Sequence, residues 1–517
     1  MRITDIAIKN FRAFFGDYNI QLGKSGKNLV IFGENGSGKS SLFEALKIFF
    51  QASVGKVPID KHENIFINSQ NRGSVEIKIK TKDSDISSSI TEYILNSTAN
   101  KLTGDEAIHI ADANKIRAFF DYKSLLKTHK LDINSERVNL FDLLVKDILY
   151  HGINKFTNVP IGKEWNALYI YSYNYKQSRN RVNWVKENLA KFNDGLALLL
   201  EEISSDTNLF LGLFGVNVKV SFVYNGVQYH GRRALLSQEI FLDIEFCDKT
   251  ISKHHNFLNE ARLSALAISI YLASIRLNPT NGKLKMLVLD DLLIGLDMSN
   301  RIPLLEILKK YFSDDFQIIL TTYDKVWFEV IRNYFGMDDW KYIEMYSKRL
   351  DENSFDIPVI YDSDGFLDRA RYYLGENDYK ASAVYLRTEF ERIVKSTCEK
   401  KSLTVRYKKN QKELKSGDFW TSIIEQTDID ESQVKAIETH RGIVMNPFSH
   451  YDLEKPEFRA EIENTLNAVE HLDACCESIN KTSSISKLEK KIDHLEDQLS
   501  VRDSTIVSMR AAMRRPE

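Results

Sequence analysis

Cysteine is scarce in this chain, with four in 517 residues. Cys247, Cys398, Cys475 and Cys476 include no pair at the spacing of a thiolate metal motif, so a Cys-x-x-Cys zinc site is excluded. A disulfide framework is not expected either, and the thiols read as reduced. Long apolar runs are missing as well: none reaches the ~20 residues that a membrane helix needs. The N-terminus has no secretory pattern, because Met1-Arg2-Ile3-Thr4 runs straight into an alternating strand. The expected location is the cytoplasm. A charge excess of one sign is also absent, with 70 Lys and Arg against 72 Asp and Glu. Binding of DNA or RNA would have to come from local basic patches.

What is present is the material of a globular protein. Hydrophobic residues make up 43% of the chain, enough to build a core. The length exceeds one ordinary core, and two or three domains are expected. Residues 3–14 alternate apolar and polar, as a half-buried strand does. Residues 28–32 form a short apolar run that ends in a Gly-rich loop, and 40–50 have helical spacing. Further strands are expected at 74–79, 91–95, 216–224 and 241–246, and an apolar helix at 258–277. Continuous apolar strands are expected at 285–289 and 317–321. Strands buried on both faces and alternating with helices predict a parallel α/β core.

Between about 105 and 258 the pattern changes. Val182, Val185, Leu189, Phe192, Leu196, Leu199 and Ile203 recur at spacings of three and four. Such a seam suits a coiled coil or an amphipathic helix packed on the core. After about 360 the strand signals stop. Residues 364–400 and 432–480 read as helical, with a basic connector between them. Ile485, Leu488, Ile492, Leu495, Leu499, Ile506 and Met509 keep a heptad register interrupted at Arg502. That register predicts a short coiled coil for oligomerisation, or else a loose amphipathic tail.

Two motifs carry chemistry. Gly33-Glu34-Asn35-Gly36-Ser37-Gly38-Lys39-Ser40, followed by Ser41, matches G-x-x-x-x-G-K-[ST]. Its glycines let backbone N–H groups converge on phosphates, Lys39 reaches the terminal phosphates, and Ser40 offers a hydroxyl to Mg²⁺. The helix behind it adds a positive dipole end. This predicts binding of ATP or GTP. Met286-Leu287-Val288-Leu289-Asp290-Asp291 is a buried strand closing on two carboxylates. Asp290 is expected to hold the Mg²⁺ shell and Asp291 to polarise the attacking water.

With these residues in view, the chain resembles the ATPase head of the SMC/RecF/ABC superfamily. The resemblance rests on ITDIAIKNFRAF (3–14), GENGSGKSSLFEAL (33–46), FLNEARLSALAISIYLA (257–273) and MLVLDDLLIGLD (286–297). It implies an α/β P-loop head that binds ATP and Mg²⁺, with two heads pairing around the nucleotide. It implies a signature at Leu258, Asn259, Glu260, Ala261 and Arg262 that faces the partner's ATP. Asn259 stands where a serine is usual and Ala261 where a glycine is usual. Asp297 matches the D-loop at the dimer interface, and Arg12 an early arginine near the nucleotide. Asp291 replaces the usual Glu, so slow hydrolysis is expected. The usual switch histidine is missing; Thr322-Tyr323-Asp324 stands there, with Tyr323 or Asp324 to position the water. Gln70 is the candidate Q-loop glutamine. A helix over the 182–203 seam spans only ~35–40 Å, far short of the arms of chromosome-organising relatives. The cysteines exclude the zinc hook that some such arms carry.

The resemblance gives this scheme: 1–104, an N-lobe with the phosphate loop; 105–239, a helical or coiled-coil insertion with strands; 240–355, a C-lobe with signature and acidic strand; 360–480, an all-α C-terminal domain; and 483–517, a coiled-coil tail. In the C-terminal part, Lys400, Lys401, Arg406, Tyr407, Lys408, Lys409, Lys412 and Lys415 suit phosphate contact or a solvated loop. Arg441 and His450 resemble the Arg…His pair of HEPN ribonucleases, at a wider spacing and with Pro447 between them. Their other reading is a structural helix corner. A compact head, short insertion and helical C-terminal domain resemble the overcoming-lysogenization-type and Septu-type ATPases of bacterial anti-phage systems, some of them retron-associated. That resemblance implies a sensor or regulator of a separate nuclease, commonly of HNH type. The alternatives are an ATPase fused to its own ribonuclease and a RecF-type DNA-repair ATPase.

Overall fold

The computed structural model describes residues 1–67, 75–83, 90–104, 107–128, 136–173, 179–230, 235–278, 282–292, 296, 298–349, 355–362, 365–410, 413–447 and 459–481. The chain divides into two units, Met1–Asp362 and Ser363–Glu517. The first opens with β1 (Arg2–Lys9), β2 (Asp17–Gln21), β3 (Asn28–Gly33) and α1 (Lys39–Gln51). Then come β4 (Glu76–Lys82), β5 (Ile90–Asn96), α2 (Ala107–Lys115), β6 (Phe119–Asp121) and α3 (Tyr122–Leu126). A π-helical turn at Asp142–Ile148 leads to α4 (Ile161–Tyr173) and α5 (Arg179–Leu213). Short strands follow, β7 (Lys219–Val223), β8 (Gln228–Tyr229), β9 (Leu235–Leu236), β10 (Phe241–Phe246) and β11 (Lys249–Ile251), then α6 (His254–Phe257) and α7 (Glu260–Leu277). The unit closes with β12 (Met286–Asp290), α8 (Met298–Tyr311), β13 (Gln317–Thr322), α9 (Lys325–Phe335), β14 (Trp340–Arg349) and β15 (Asp356–Asp362).

A six-stranded sheet organises this unit, in the order β15-β14-β3-β13-β12-β6. All its neighbours are parallel except β14 and β15. Successive side chains on a strand point to opposite faces, and here both faces are covered. Leu29 and Ile31 of β3 join one core, with Ile3, Ile6, Ile77, Ile79 and the apolar side of α1. Val30 and Phe32 join the other, with residues of α5, α7, α8 and α9. Two-sided burial is why β3, β12 and β13 read as unbroken apolar runs. The antiparallel sheet β2-β1-β4-β5 is joined to β13 by the buried Gln317. Its Oε1 accepts from the Ile3 N–H at 2.7 Å, and its Nε2 donates to the Ile3 carbonyl at 2.8 Å.

Two features differ from the sequence reading. The stretch expected as an insertion contributes β6, which pairs with β12 at the edge of the main sheet. The strands β14 and β15 were not anticipated. Trp340, Tyr342, Ile343 and Met345 are buried in β14, but Lys341 and Glu344 interrupt the run, and neither alternation nor a continuous apolar stretch stands out. Of the two readings of the 182–203 seam, the structure shows the amphipathic helix packed on its own unit. Val185, Leu189, Phe192, Leu196, Leu199 and Ile203 are buried in the 35-residue α5, which packs on α4 and α7 of the same unit. Ser204 and Asn208 of α5 each donate to the Val220 carbonyl, tying β7 down on the helix.

The second unit is helical: α10 (Phe366–Gly375), α11 (Tyr379–Lys400), α12 (Ser416–Gln426), α13 (Glu431–His440) and α14 (Arg459–Ser478). Asp378 and Asp430 cap α11 and α13, accepting from the Ala381 and Ser432 N–H groups. Phe390, Ile393, Trp420, Ile423, Ile437, Val469 and Leu472 form a core of its own. The heptads of 483–517 lie outside the described residues. All four cysteines are free. No helix among the described residues is long and apolar enough to cross a membrane.

Candidate functional site

The parallel strands β3, β12 and β13 end at the same edge of the sheet, and their C-terminal residues meet there. β3 runs into the loop 34–38, and α1 begins at Lys39 behind Gly38. Gly38 has φ of 103°, a region that side-chain-bearing residues avoid. A Cβ on Gly33 would fall 2.4 Å from Ser37 Oγ and 2.9 Å from the Met345 carbonyl oxygen. The loop can close this tightly only on glycine. The first turn of α1 has no side-chain cap and no acidic residue, so its N–H groups and dipole stay available to an anion.

Lys39 is 4% exposed. Its Nζ donates to the carbonyl oxygens of Gly33 at 2.7 Å and Glu34 at 3.1 Å, and lies 3.7 Å from Asp291 Oδ2. Ser40 Oγ donates to Asp290 Oδ2 at 3.1 Å. That bond joins residues 250 positions apart and places the loop and the acidic strand in one crevice. Asp290 Oδ1 accepts from Thr321 Oγ1 at 2.6 Å, and the same hydroxyl accepts from the Asp291 N–H at 3.1 Å. Asp291 sits at φ 49°, in the left-handed region, which Asp tolerates better than most residues. Burial raises both carboxyls above the ordinary carboxylate range. Lys39 opposes this at Asp291; at Asp290 the hydrogen bonds from Thr321 and Ser40 oppose it.

The residues fit a phosphate chain with its cation. Ser37 Oγ is buried in the loop without a hydrogen-bond partner, and so is Asp291 Oδ1 beside Lys39. Orphaned polar atoms of this kind are costly unless a ligand satisfies them. The acidic pair, Asp290 buried and Asp291 half-buried, has one lysine partner among the described ion pairs, Lys39 on Asp291, which leaves negative charge for a divalent cation. Asn35, Gly36 and Ser40 are exposed, and Ser41 is partly buried.

The remaining candidates are placed less directly. Tyr323 follows β13 and is 40% exposed. Asp324 is already committed: it caps α9 through the Trp327 N–H and pairs with Arg301 at 2.7 Å. Of the two residues considered for positioning water, Tyr323 alone keeps its side chain outside such a cap and ion pair. Asn259 caps α7, its Oδ1 accepting from the Arg262 N–H at 3.0 Å. Asn259, Glu260 and Arg262 are exposed, and none of them hydrogen-bonds or pairs with the loop or the acidic pair among the described residues. Arg12 is exposed on the loop after β1, with φ of 49° and its backbone tied to His62 and Asn64. Asp297, Gln70 and His450 lie outside the described residues.

Sequence reasoning missed two residues at this edge. Thr321 bridges the acidic pair, and Asp121 of β6 lies in register beside Asp290. Each comes from a strand neighbouring β12, so the only available signal was the polar residue closing the apolar run at 317–321 and the short run ending at Asp121. In the second unit, the Arg441 guanidinium packs over the Phe390 ring, 5.0 Å from its centroid, and burial lowers its pKa. Thr465 Oγ1 and His440 Nδ1 share a hydrogen bond at 3.1 Å. In the basic connector, Lys408 pairs with Asp418 at 2.7 Å and Tyr407 is 84% exposed.

A parallel α/β sheet with a phosphate loop on one strand and a carboxylate pair on a neighbour, hydrogen-bonded through Ser40, defines a P-loop nucleotide-binding head. The chain belongs to the RecF/RecN/SMC N-terminal domain family, a family of ATPases, whose model matches residues 2–342. The match ends within β14 and leaves the helical unit outside it. Solved structures of SMC heads are similar in part. The Smc head of Pyrococcus furiosus bound to the C-terminal domain of ScpA is 14% identical, with 73% of this chain and 99% of that chain covered and a TM-score of 0.42. An SmcHead bound to the C-winged helix domain of ScpA is 15% identical, with 70% and 98% covered and a TM-score of 0.41. The head domain from Thermotoga maritima is 15% identical, with 70% and 99% covered and a TM-score of 0.32. No curated protein matches the chain.

Proposed function

We propose that this chain is an ABC/SMC-like ATP hydrolase whose head binds Mg²⁺-ATP and turns it over between two paired copies. The observation that carries the reading is the Ser40–Asp290 hydrogen bond beside Lys39. The loop backbone and Lys39 would hold the phosphates, and Ser40 with Asp290 would hold the cation. Magnesium, when bound, supplies positive charge against the charge that develops on the transferred phosphoryl group. Asp291 would accept the proton of the attacking water, with Tyr323 orienting it. One methylene shorter than glutamate, Asp291 reaches less far, and slow turnover is expected. The exposed end of α7, with Asn259 and Glu260, would face the nucleotide of the second copy, as would Asp297.

The biological role we propose is cytoplasmic: a sensor that restrains a separate nuclease, of HNH type, in bacterial anti-phage defence. It rests on the resemblance of a compact head with a helical C-terminal unit to such ATPases. Copurification of a nuclease encoded next to the gene supports this role, and tRNA cleavage by the purified chain alone rejects it. The site itself is tested by Lys39→Ala, which is expected to abolish binding of a fluorescent ATP analogue. Asp291→Ala is expected to keep binding and accumulate ATP-bound dimers in light scattering. Normal turnover by the Lys39→Ala protein overturns the assignment.

A further inference from the structure

Arg301, in the first turn of α8, is 9% exposed. Burying a guanidinium is costly unless its charge and its N–H groups are matched. Two separate segments match them here. The Arg301 Nε donates to the Leu296 carbonyl at 3.0 Å, and its Nη1 donates to Asp324 Oδ2 at 2.7 Å. The guanidinium carbon lies 5.7 Å from the centre of the Trp327 ring. Leu296 belongs to the segment that leaves β12 after the acidic pair, and Asp324 to the segment that leaves β13. One side chain therefore holds the exits of two strands that end at the crevice.

Both segments are also fixed close to their strands. The Asp291 N–H donates to Thr321 Oγ1 at 3.1 Å, tying the first residue after β12 to β13. The Asp324 N–H donates to Thr322 Oγ1 at 3.1 Å, and Asp324 Oδ1 accepts from the Trp327 N–H at 3.1 Å. Tyr323 stands between the anchored residues Thr322 and Asp324. Its backbone N–H also acts on the Asp291 carboxyl: burial raises that group, and Lys39 and this N–H oppose the rise. The direction in which the Tyr323 ring leaves the chain is set by these bonds.

A buried pair of this kind is weak evidence for stability, because apolar side chains of similar volume often serve as well. Holding the fold together does not call for a charge here. A planar guanidinium, with donors in fixed directions, does hold two acceptors at a set angle. What that angle fixes is the placement of Tyr323 relative to Asp291.

We propose that Arg301 is a positioning residue for turnover, setting Tyr323 against Asp291 so that both meet the same water. The inference rests on the roles given above to Asp291 and Tyr323. It adds that the geometry between them is set by a side chain on the helix that follows the acidic strand.

The test is steady-state ATP hydrolysis by the full chain, with affinity for the ATP analogue measured alongside. Arg301→Met, unbranched and apolar, is expected to lower kcat by about tenfold to a hundredfold, as a displaced reacting group does. KM and analogue affinity are expected to stay unchanged, the pattern of an interaction that matters in the transition state. Tyr323→Phe alone is expected to lower kcat as well. Added to Arg301→Met, it is expected to lower kcat little further, because Arg301 acts through Tyr323; independent sites would add. Asp324→Asn keeps an oxygen for the α9 cap and removes the charge from the pair. It is expected to lower kcat with the same lack of additivity, and it decides the question if the Arg301→Met protein does not fold. The proposal is overturned if kcat of a folded Arg301→Met or Asp324→Asn protein matches the parent, or if analogue affinity falls in step with kcat. It is also overturned if Tyr323→Phe alone leaves kcat unchanged, or if its loss adds in full to that of either variant. A parent chain with no ATP turnover overturns the hydrolase reading itself, and this inference falls with it.

Discussion

At the scale of single residues, the acidic pair behaves as a unit held by Thr321. One hydroxyl donates to Asp290 and accepts from the Asp291 N–H. Thr321→Val keeps the shape and removes both bonds. A buried group left unpaired costs about 1–3 kcal/mol, so the variant should lose stability by that order and bind Mg²⁺-ATP about tenfold more weakly. Thermal unfolding and analogue binding check the two effects. Lys39, Ser40, Asp290 and Asp291 were legible because the motif spacing is itself the chemistry. Thr321 was not, because its role comes from the parallel register that sets it beside Asp290.

The same pair gives a pH dependence. Burial raises both carboxyls, so folding disfavours their ionised forms. The empty protein therefore carries a penalty above the folded-state pKa values, and the penalty is relieved as pH falls through them. A bound cation relieves it at neutral pH instead. Mg²⁺-ATP should then raise the melting temperature more at pH 8 than at pH 5.5. Equal increments at the two pH values would show that the carboxyls do not face the cation.

At the scale of elements, period and neighbour decide what a pattern becomes. The three-four spacing of 182–203 was legible as a helix with one apolar side. Whether that side meets a second chain or its own head is not written in the spacing. Here α4 and α7 cover it. Leu196 is fully buried in that face, and Leu196→Ala should cost about 2–5 kcal/mol as an unfilled core site. The oligomeric state of the folded variant, read by light scattering, should be unchanged. Dissociation of an oligomer at unchanged stability would return the seam to a coiled coil. The β14 strand was illegible for a related reason. Its buried Glu344 pairs with Lys325 at 2.8 Å, a partner on another element, so a core strand carries charge that sequence pattern assigns to the surface.

At the scale of the whole molecule, the two units have separate cores. The sheet-spanning clusters of the head end at Met345 and Tyr342, with Ile360 packed against one of them. The helical clusters draw on Leu367 and later residues. Every residue that builds the crevice, from Gly33 to Thr321, lies in the first unit. A fragment of residues 1–362 keeps β14 and β15, and with them the Met345 carbonyl that closes on Gly33 and the Pro358 ring that lies against Gly38. It should therefore fold and bind the ATP analogue within about twofold of the full chain, a difference under about 0.5 kcal/mol. A fragment ending at 342, where the family match stops, removes those contacts and should bind more weakly and unfold at lower temperature. Calorimetry on the two fragments separates these outcomes. If the 1–362 fragment loses tenfold or more in affinity while remaining folded, the helical unit supplies part of the nucleotide site, and the head alone does not account for it.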